Sequence, residues 1–233
     1  MEHAVLLFDL DGTLTDPKIG ITTCVQYALQ YFGKEAESLD ELECFIGPPL
    51  LESFMSYAGL NREEAQKAVE KYRERFSVTG LYENEVYKGI PELLQALKGN
   101  GYTLAIASSK PEVYVRRILQ HFQLESYFDV VTGSELDGRR TAKGEVIAEA
   151  LKRLGFAKNE KYDMIKSKQK IVMIGDRKHD CIGAKENHIS VIGAAYGYGS
   201  RAELKEAGAD HIVNSVEELR QLFFGQERYG YEG

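Results

Sequence analysis

Phe8-Asp9-Leu10-Asp11-Gly12-Thr13-Leu14-Thr15-Asp16 is the stretch on which the reading of this chain turns. The residues before it, Ala4-Val5-Leu6-Leu7, are apolar and strand-like. Residues i and i+2 of a strand point the same way, so Asp9 and Asp11 are expected to face one small volume and repel each other. Gly12 then lets the chain turn sharply away. An ordinary fold gains nothing from two acids at the end of a buried strand. A site that holds a divalent cation and attacks a phosphate does.

Further along, apolar runs suited to buried parallel strands recur at 5–9, 103–108, 129–132, 170–175, 190–193 and 211–213. Helical patterns lie between them at 91–99, 112–122, 143–154, 180–187 and 201–207. This alternation predicts an α/β fold built on a doubly wound parallel sheet. Such sheets bind ligands outside the carboxyl ends of their strands, where Asp9, Asp11, Ser108 and Asp176 fall. Residues 16–85 contain no convincing strand. Helical periodicity at 19–31, 39–45, 50–58 and 62–76, broken at Gly33, Gly47-Pro48-Pro49 and Gly59, predicts an inserted α-helical cap. The expected division is a catalytic core of residues 1–15 and 86–233 and a cap of residues 16–85. A return linker is expected near residues 80–88 and a frayed tail over 224–233.

A second acidic pair stands in Ile174-Gly175-Asp176-Arg177-Lys178-His179-Asp180, after the apolar run Ile171-Val172-Met173-Ile174. Asp176 is expected at a turn and Asp180 in the first turn of a helix. Two strand ends far apart in sequence thus each present two aspartates. Hard oxygen donors in this number suit Mg²⁺, which takes a few carboxylates, several waters and a substrate phosphate. The three cysteines, Cys24, Cys44 and Cys181, form no CxxC pair and are expected to be buried free thiols.

The 233-residue chain is 43% hydrophobic and 28% charged, with a formal net charge of -7. Sequence-independent binding of nucleic acid leaves a basic footprint, which is missing, so no nucleic-acid partner is expected. No apolar run is long enough to span a bilayer, and no membrane partner is expected. Met1-Glu2-His3 leads into the first strand without the basic and apolar regions of a signal peptide, so a cytoplasmic setting is expected. No oligomeric state is assigned.

Asp9-Leu10-Asp11-Gly12-Thr13-Leu14-Thr15-Asp16 resembles the first motif of the haloacid dehalogenase-like hydrolase superfamily. Gly175-Asp176-Arg177-Lys178-His179-Asp180 resembles its fourth. Ser108 matches the second motif, a Ser or Thr at a strand end, and Lys143 the third, a lysine opening a helix. The helical insert falls where the family's α-helical cap follows the first motif. The Ile46-Gly47-Pro48-Pro49-Leu50 loop and the segment from Ala195 to Ser200 look like the phosphoglycolate phosphatase-like and 5′-nucleotidase-like branch.

The resemblance implies an Mg²⁺-dependent phosphatase acting on a small phosphorylated metabolite, phosphoglycolate-like or a nucleoside 5′-monophosphate. It implies Asp9 as nucleophile, forming an aspartyl-phosphate, and Asp11 as general acid and then base. Metal ligands would be Asp9, the Asp11 backbone carbonyl, Asp176 and Asp180. Ser108 and Lys143 would hold the phosphoryl oxygens, helped by backbone N–H groups around Gly12 and Thr13. Ser109 competes weakly with Ser108. Lys110 competes with Lys143, which here is followed by Gly144 rather than the family's frequent proline. Gly47 and Pro48 would face the substrate. Asp11 argues against a dehalogenase, which needs no proton delivered to an alkoxide. A phosphosugar mutase or an inorganic pyrophosphatase would use the same nucleophile. A non-catalytic regulator would be expected to have lost one of these positions, yet all are filled.

Plainer readings exist for each residue. Asp180 and Ser108 could be helix caps, Lys143 a solvated charge, Gly47-Pro48-Pro49 a helix break, and Arg177 and Lys178 rim charges. Asp16 could hydrogen-bond the turn or cap the first cap helix. His179 is given no role, and residues 196–200 are read as a turn at the edge of the site.

Overall fold

The computed structural model describes residues 4–156 and 170–225. Six parallel strands form the main sheet: β1 (Val5–Phe8), β4 (Thr103–Pro111), β5 (Val130–Ser134), β6 (Ile171–Gly175), β7 (Ser190–Ala194) and β8 (His211–Val213). Their order is β5-β4-β1-β6-β7-β8, which makes β1 central. Phe8 is in register with Ile106 of β4 on one side and Ile174 of β6 on the other. The strand order reverses at β1, so its carboxyl end is the crevice where ligands of such sheets bind.

Both faces of the sheet are covered, as all-parallel strands require. Alternate residues part to opposite sides. Leu6, Phe8, Leu104, Ile106, Val172 and Ile174 join one buried cluster, and Val5, Leu7, Ala105, Ala107 and Met173 join the other. The first cluster takes in Leu93 and Leu97 of α4 (Ile90–Gly99) and Val115, Ile118 and Leu119 of α5 (Glu112–His121). The second takes in Val146, Ile147 and Ala150 of α6 (Lys143–Arg153) and Cys181 and Ala184 of α7 (Lys178–Glu186).

Between β1 and α4 the chain forms α1 (Lys18–Gln30), a 3₁₀ turn (Leu39–Phe45), α2 (Leu50–Tyr57) and α3 (Arg62–Arg75), which continues as one π turn (Phe76–Gly80). Ile21, Val25, Phe54, Ala68, Tyr72 and Phe76 from these elements belong to the same cluster as Phe8. α3 starts with a capping box: the Asn61 side chain accepts from the Glu64 N–H (3.0 Å), and the Glu64 carboxylate accepts from the Asn61 N–H (2.9 Å). Asn61→Ala is expected to cost about 1 kcal/mol of stability, read from the midpoint of urea unfolding.

The structure corrects several expectations. A two-residue antiparallel ribbon, β2 (Thr15–Asp16) with β3 (Glu85–Val86), joins the start and end of the helical stretch that was expected to hold no strand. Two residues are too few to show a period. Residues 39–45 are 3₁₀ rather than α-helix. β4 runs on to Pro111 across an irregularity between Ala107 and Pro111. α8 (Arg201–Glu206) matches expectation, but α9 (Val216–Phe224) was not anticipated, although Ser215-Val216-Glu217-Glu218 carries a capping pattern and Ser215 Oγ accepts from the Glu218 N–H (3.1 Å). Phe224, placed in a frayed tail, ends α9 with its ring 6.4 Å from that of Tyr102; residues 226–233 lie outside the described residues, as do Met1, Glu2 and His3. Cys24 and Cys181 are buried, whereas Cys44 is half-buried. Among the described residues no helix is long and apolar enough to cross a membrane.

Candidate active site

Asp9 follows β1 directly, with its N–H bonded to the Ile174 carbonyl (2.9 Å). Its carboxylate is fixed from two directions. Oδ1 accepts from the Leu10 N–H (2.8 Å), and Oδ2 lies 2.9 Å from the Lys143 ammonium. Lys143 opens α6 and is 7% exposed, so it is no solvated charge. Its Nζ also donates to the Ala107 carbonyl (3.1 Å) and lies 2.9 Å from Asp180 Oδ1. Burial works against this ammonium, but Asp180 and Asp9 outweigh burial and raise its pKa above the ordinary lysine value.

Asp176, just past β6, is buried beside them. One of its oxygens, Oδ2, accepts from the Tyr198 N–H (2.8 Å), and Oδ1 is 3.4 Å from the Thr13 hydroxyl. Gly12, at φ 78°, is required here: a Cβ would lie 2.1 Å from Asp176 Oδ2. Gly175 likewise leaves room for Asp180, whose Cγ would be 2.2 Å from an added Cβ. Asp180 does act at the helix start, since its Oδ2 accepts from the Arg177 N–H (2.9 Å).

Asp9, Asp176 and Asp180 each offer an oxygen within 4.8 Å of the others. Burial pushes the Asp176 carboxyl well above its usual range, with Asp180 and Asp9 adding to the rise. Burial also pushes Asp180 up to about 6, against the pull of Lys143. Asp180 Oδ1 lies close to Lys143 but outside hydrogen-bond geometry, leaving a buried carboxylate oxygen without a hydrogen-bond partner. Three buried carboxylates around one ammonium carry excess negative charge that a hard divalent cation would offset. The donor set therefore fits Mg²⁺.

Asp9 and Asp11 line one cavity and their charges repel, as expected, although neither lies within the strand itself. β1 ends at Phe8, and the Asp11 carboxylate turns to Lys110, 2.7 Å from Oδ2. It is thus not part of the carboxylate group formed by the other three aspartates. Burial raises the Asp11 carboxyl above its ordinary value; Lys110 opposes this without cancelling it. The two competing lysines therefore divide between the two acids, Lys143 with Asp9 and Lys110 with Asp11.

A cavity of about 230 Å³ opens beside Asp9 and Asp11. Ser108, Ser109 and Lys110 from β4 line it, as do Gly47 and Pro48 from the loop before α2. Ser108 is buried, and its Oγ accepts from the Lys110 N–H (3.4 Å). Gly12 and Thr13 pack beneath Asp176 and carry no part of this wall. A smaller cavity beyond Lys143 is lined by His179, Ser109 and Gly47.

Three roles were missed or understated from sequence. Arg177, read as a rim charge, is half-buried; its Nη1 donates to the Ile46 carbonyl (2.5 Å) and its Nε to Glu203 (3.1 Å). It ties the Gly47-Pro48 loop to the Asp176–Asp180 turn. The turn at residues 196–200 holds Asp176 through the Tyr198 N–H, while Tyr196 donates to the Thr13 carbonyl (3.0 Å) and the Tyr198 hydroxyl to Asp16. Asp16 also accepts from the Lys18 N–H (3.0 Å) at the start of α1. The aromatic residues lining the cavity, Phe45, Tyr72, Phe76 and Tyr114, gave no signal beyond their helical spacing.

Comparison with known proteins agrees with this arrangement. The family model of haloacid dehalogenase-like hydrolases matches residues 6–194. A 5′-nucleotidase of Pseudomonas aeruginosa is 49% identical over 222 residues, covering 95% of this chain and 96% of the relative. Tyrosine-protein kinase PtkA of Mycobacterium tuberculosis is 36% identical, covering 93% of this chain and 71% of that protein. A crystal structure described as a predicted phosphatase from Clostridium acetobutylicum superposes with a TM-score of 0.89 at 45% identity, over 97% of this chain and all of that one.

Proposed function

The chain belongs to the haloacid dehalogenase-like hydrolases and is a phosphatase of that family; from this premise we propose that it hydrolyses nucleoside 5′-monophosphates through an aspartyl-phosphate on Asp9, with Mg²⁺ as cofactor. The proposed division of labour sets a catalytic core of residues 1–15 and 86–233 beneath a helical cap of residues 16–85. The observation that carries the reading is the pairing of Asp9 with Lys143 inside a group of three buried carboxylates. The nucleotide preference draws on the half-identical 5′-nucleotidase.

Asp9, held by Leu10 and Lys143, attacks phosphorus as the bond to the leaving oxygen breaks. Asp11, whose carboxyl burial raises above its ordinary value, gives a proton to that oxygen, which leaves as the free nucleoside hydroxyl. The resulting Asp11 carboxylate is balanced by Lys110. It then takes a proton from a water whose oxygen attacks the aspartyl-phosphate, releasing inorganic phosphate and restoring Asp9. Lys143 and Ser108 hold the phosphoryl oxygens. The cation would be held by Asp9, Asp176, Asp180 and the Asp11 carbonyl, and when bound it supplies positive charge against the repulsion between phosphate and Asp9.

Phosphate release measured across nucleoside 5′-monophosphates, phosphoglycolate, sugar phosphates and inorganic diphosphate, with Mg²⁺ and with chelator, tests the reading. Release from nucleoside monophosphates that disappears with chelator is expected. Isomerised sugar phosphate without phosphate release would replace the proposal with a mutase. Selective cleavage of diphosphate would replace it with a pyrophosphatase.

A further inference from the structure

The cavity beside Asp9 and Asp11 has a far wall made of Phe45, Leu50, Val69, Tyr72, Phe76 and Tyr114. Val69, Tyr72 and Phe76 come from one face of α3 and its final turn, at a spacing that brings side chains together. The Tyr72 and Phe76 rings stack, with centroids 5.1 Å apart and planes at 19°; Phe76 meets Tyr114 of α5 edge-on at 5.4 Å. Lys110 sits 4.8 Å from the centre of the Phe76 ring while paired with Asp11. The wall thus runs directly from the proposed general acid.

Two polar atoms stand out on this apolar surface. Tyr72 is 4% exposed and Tyr114 is 8% exposed. Neither phenol hydroxyl has a hydrogen-bond partner among the described residues, though both rings line the cavity. Burial raises the Tyr72 phenol well above its usual value, so it is a protonated donor. Neither hydroxyl is closed off from solvent, so both open into the cavity, and a ligand seated there must pair with them in place of the water it displaces.

We infer that Tyr72 and Tyr114 determine specificity for the leaving group, donating to polar atoms of a nucleoside while Phe45, Val69 and Phe76 cover its apolar surface. A site of this kind selects strongly against analogues that leave its hydroxyls unpaired. A short carboxylate leaving group such as glycolate would need a cation on this wall. Of the two cations lining it, Lys110 is paired with Asp11, while Arg73 gives an N–H to the Leu136 carbonyl (3.0 Å). The assignment rests on the phosphatase reading of Asp9 and deepens it to named contacts.

The test compares uridine 5′-monophosphate with phenyl phosphate, whose leaving group is an apolar ring, in the parent enzyme and in Tyr72→Phe and Tyr114→Phe. The ratio of kcat/KM between the two substrates is expected to fall roughly tenfold in each variant, carried by KM for the nucleotide. A variant that merely misfolds would lose both substrates in proportion and keep the ratio. A parental ratio retained in both variants, with phenyl phosphate turnover at the parental level, overturns the tyrosine assignment and leaves the nucleotide reading standing. A parent enzyme without preference for the nucleotide overturns that reading, and the assignment with it.

Discussion

Asp9→Asn is expected to lower turnover by roughly a thousandfold or more, because it removes the carboxylate proposed to accept the phosphoryl unit. The amide matches the carboxylate in shape and can keep the bond from the Leu10 N–H to Oδ1. It cannot form an acyl-phosphate. The variant should nevertheless fold. Asp9 adds to the charge that raises Asp176 and Asp180, so removing one negative charge relieves repulsion within the group. Loss of phosphate release with a retained or raised Tm is therefore the expected pair of results. Mass spectrometry of rapidly quenched enzyme gives the direct readout: a phosphorylated Asp9 peptide in the parent and none in the variant. Full phosphoenzyme in Asp9→Asn would move the nucleophile elsewhere.

Lys143→Ala should damage both stability and activity. The ammonium is buried among Asp9, Asp180 and the Ala107 carbonyl, and nothing else in the cluster carries positive charge. Removing one member of a buried charged group leaves the remaining charges uncompensated, a loss of about 3–5 kcal/mol. The expected result is a clearly lowered Tm in chelator, with part of the loss recovered by millimolar Mg²⁺, which binds the folded state alone. Turnover should stay low even with Mg²⁺, since the phosphoryl oxygens lose a cation that no metal at the carboxylates replaces. An unchanged Tm in chelator would mean that the carboxylates are already neutral without the lysine.

The sheet was legible because its strands are short apolar runs closed by Gly or Asp, and parallel strands buried on both faces leave that mark. The two aspartate pairs were legible for the same reason: charge directly after an apolar run is rare unless it is used. Other features depend on contacts between distant segments. The partition of Lys110 and Lys143 between Asp11 and Asp9 follows from where β1 stops and how β4 bends after Ala107, neither of which has a local sequence mark. Arg177 looked like surface charge because its partners, Ile46 and Glu203, lie far away along the chain. Tyr72 and Phe76 have the spacing of any core-facing helix stripe, and only the folded chain reveals that this stripe lines a cavity.

The small ribbon of Thr15 with Val86 and Asp16 with Glu85 brings the two ends of the intervening seventy or so residues side by side. A segment whose ends adjoin can be lengthened, shortened or exchanged without altering the register of the six strands it leaves behind. Residues of that stretch that line the cavity, such as Val69, Tyr72 and Phe76, can therefore be exchanged while the strand ends that carry Asp9 and Asp176 stay as they are, so that descendants of one ancestral protein could acquire new diets while keeping the same teeth.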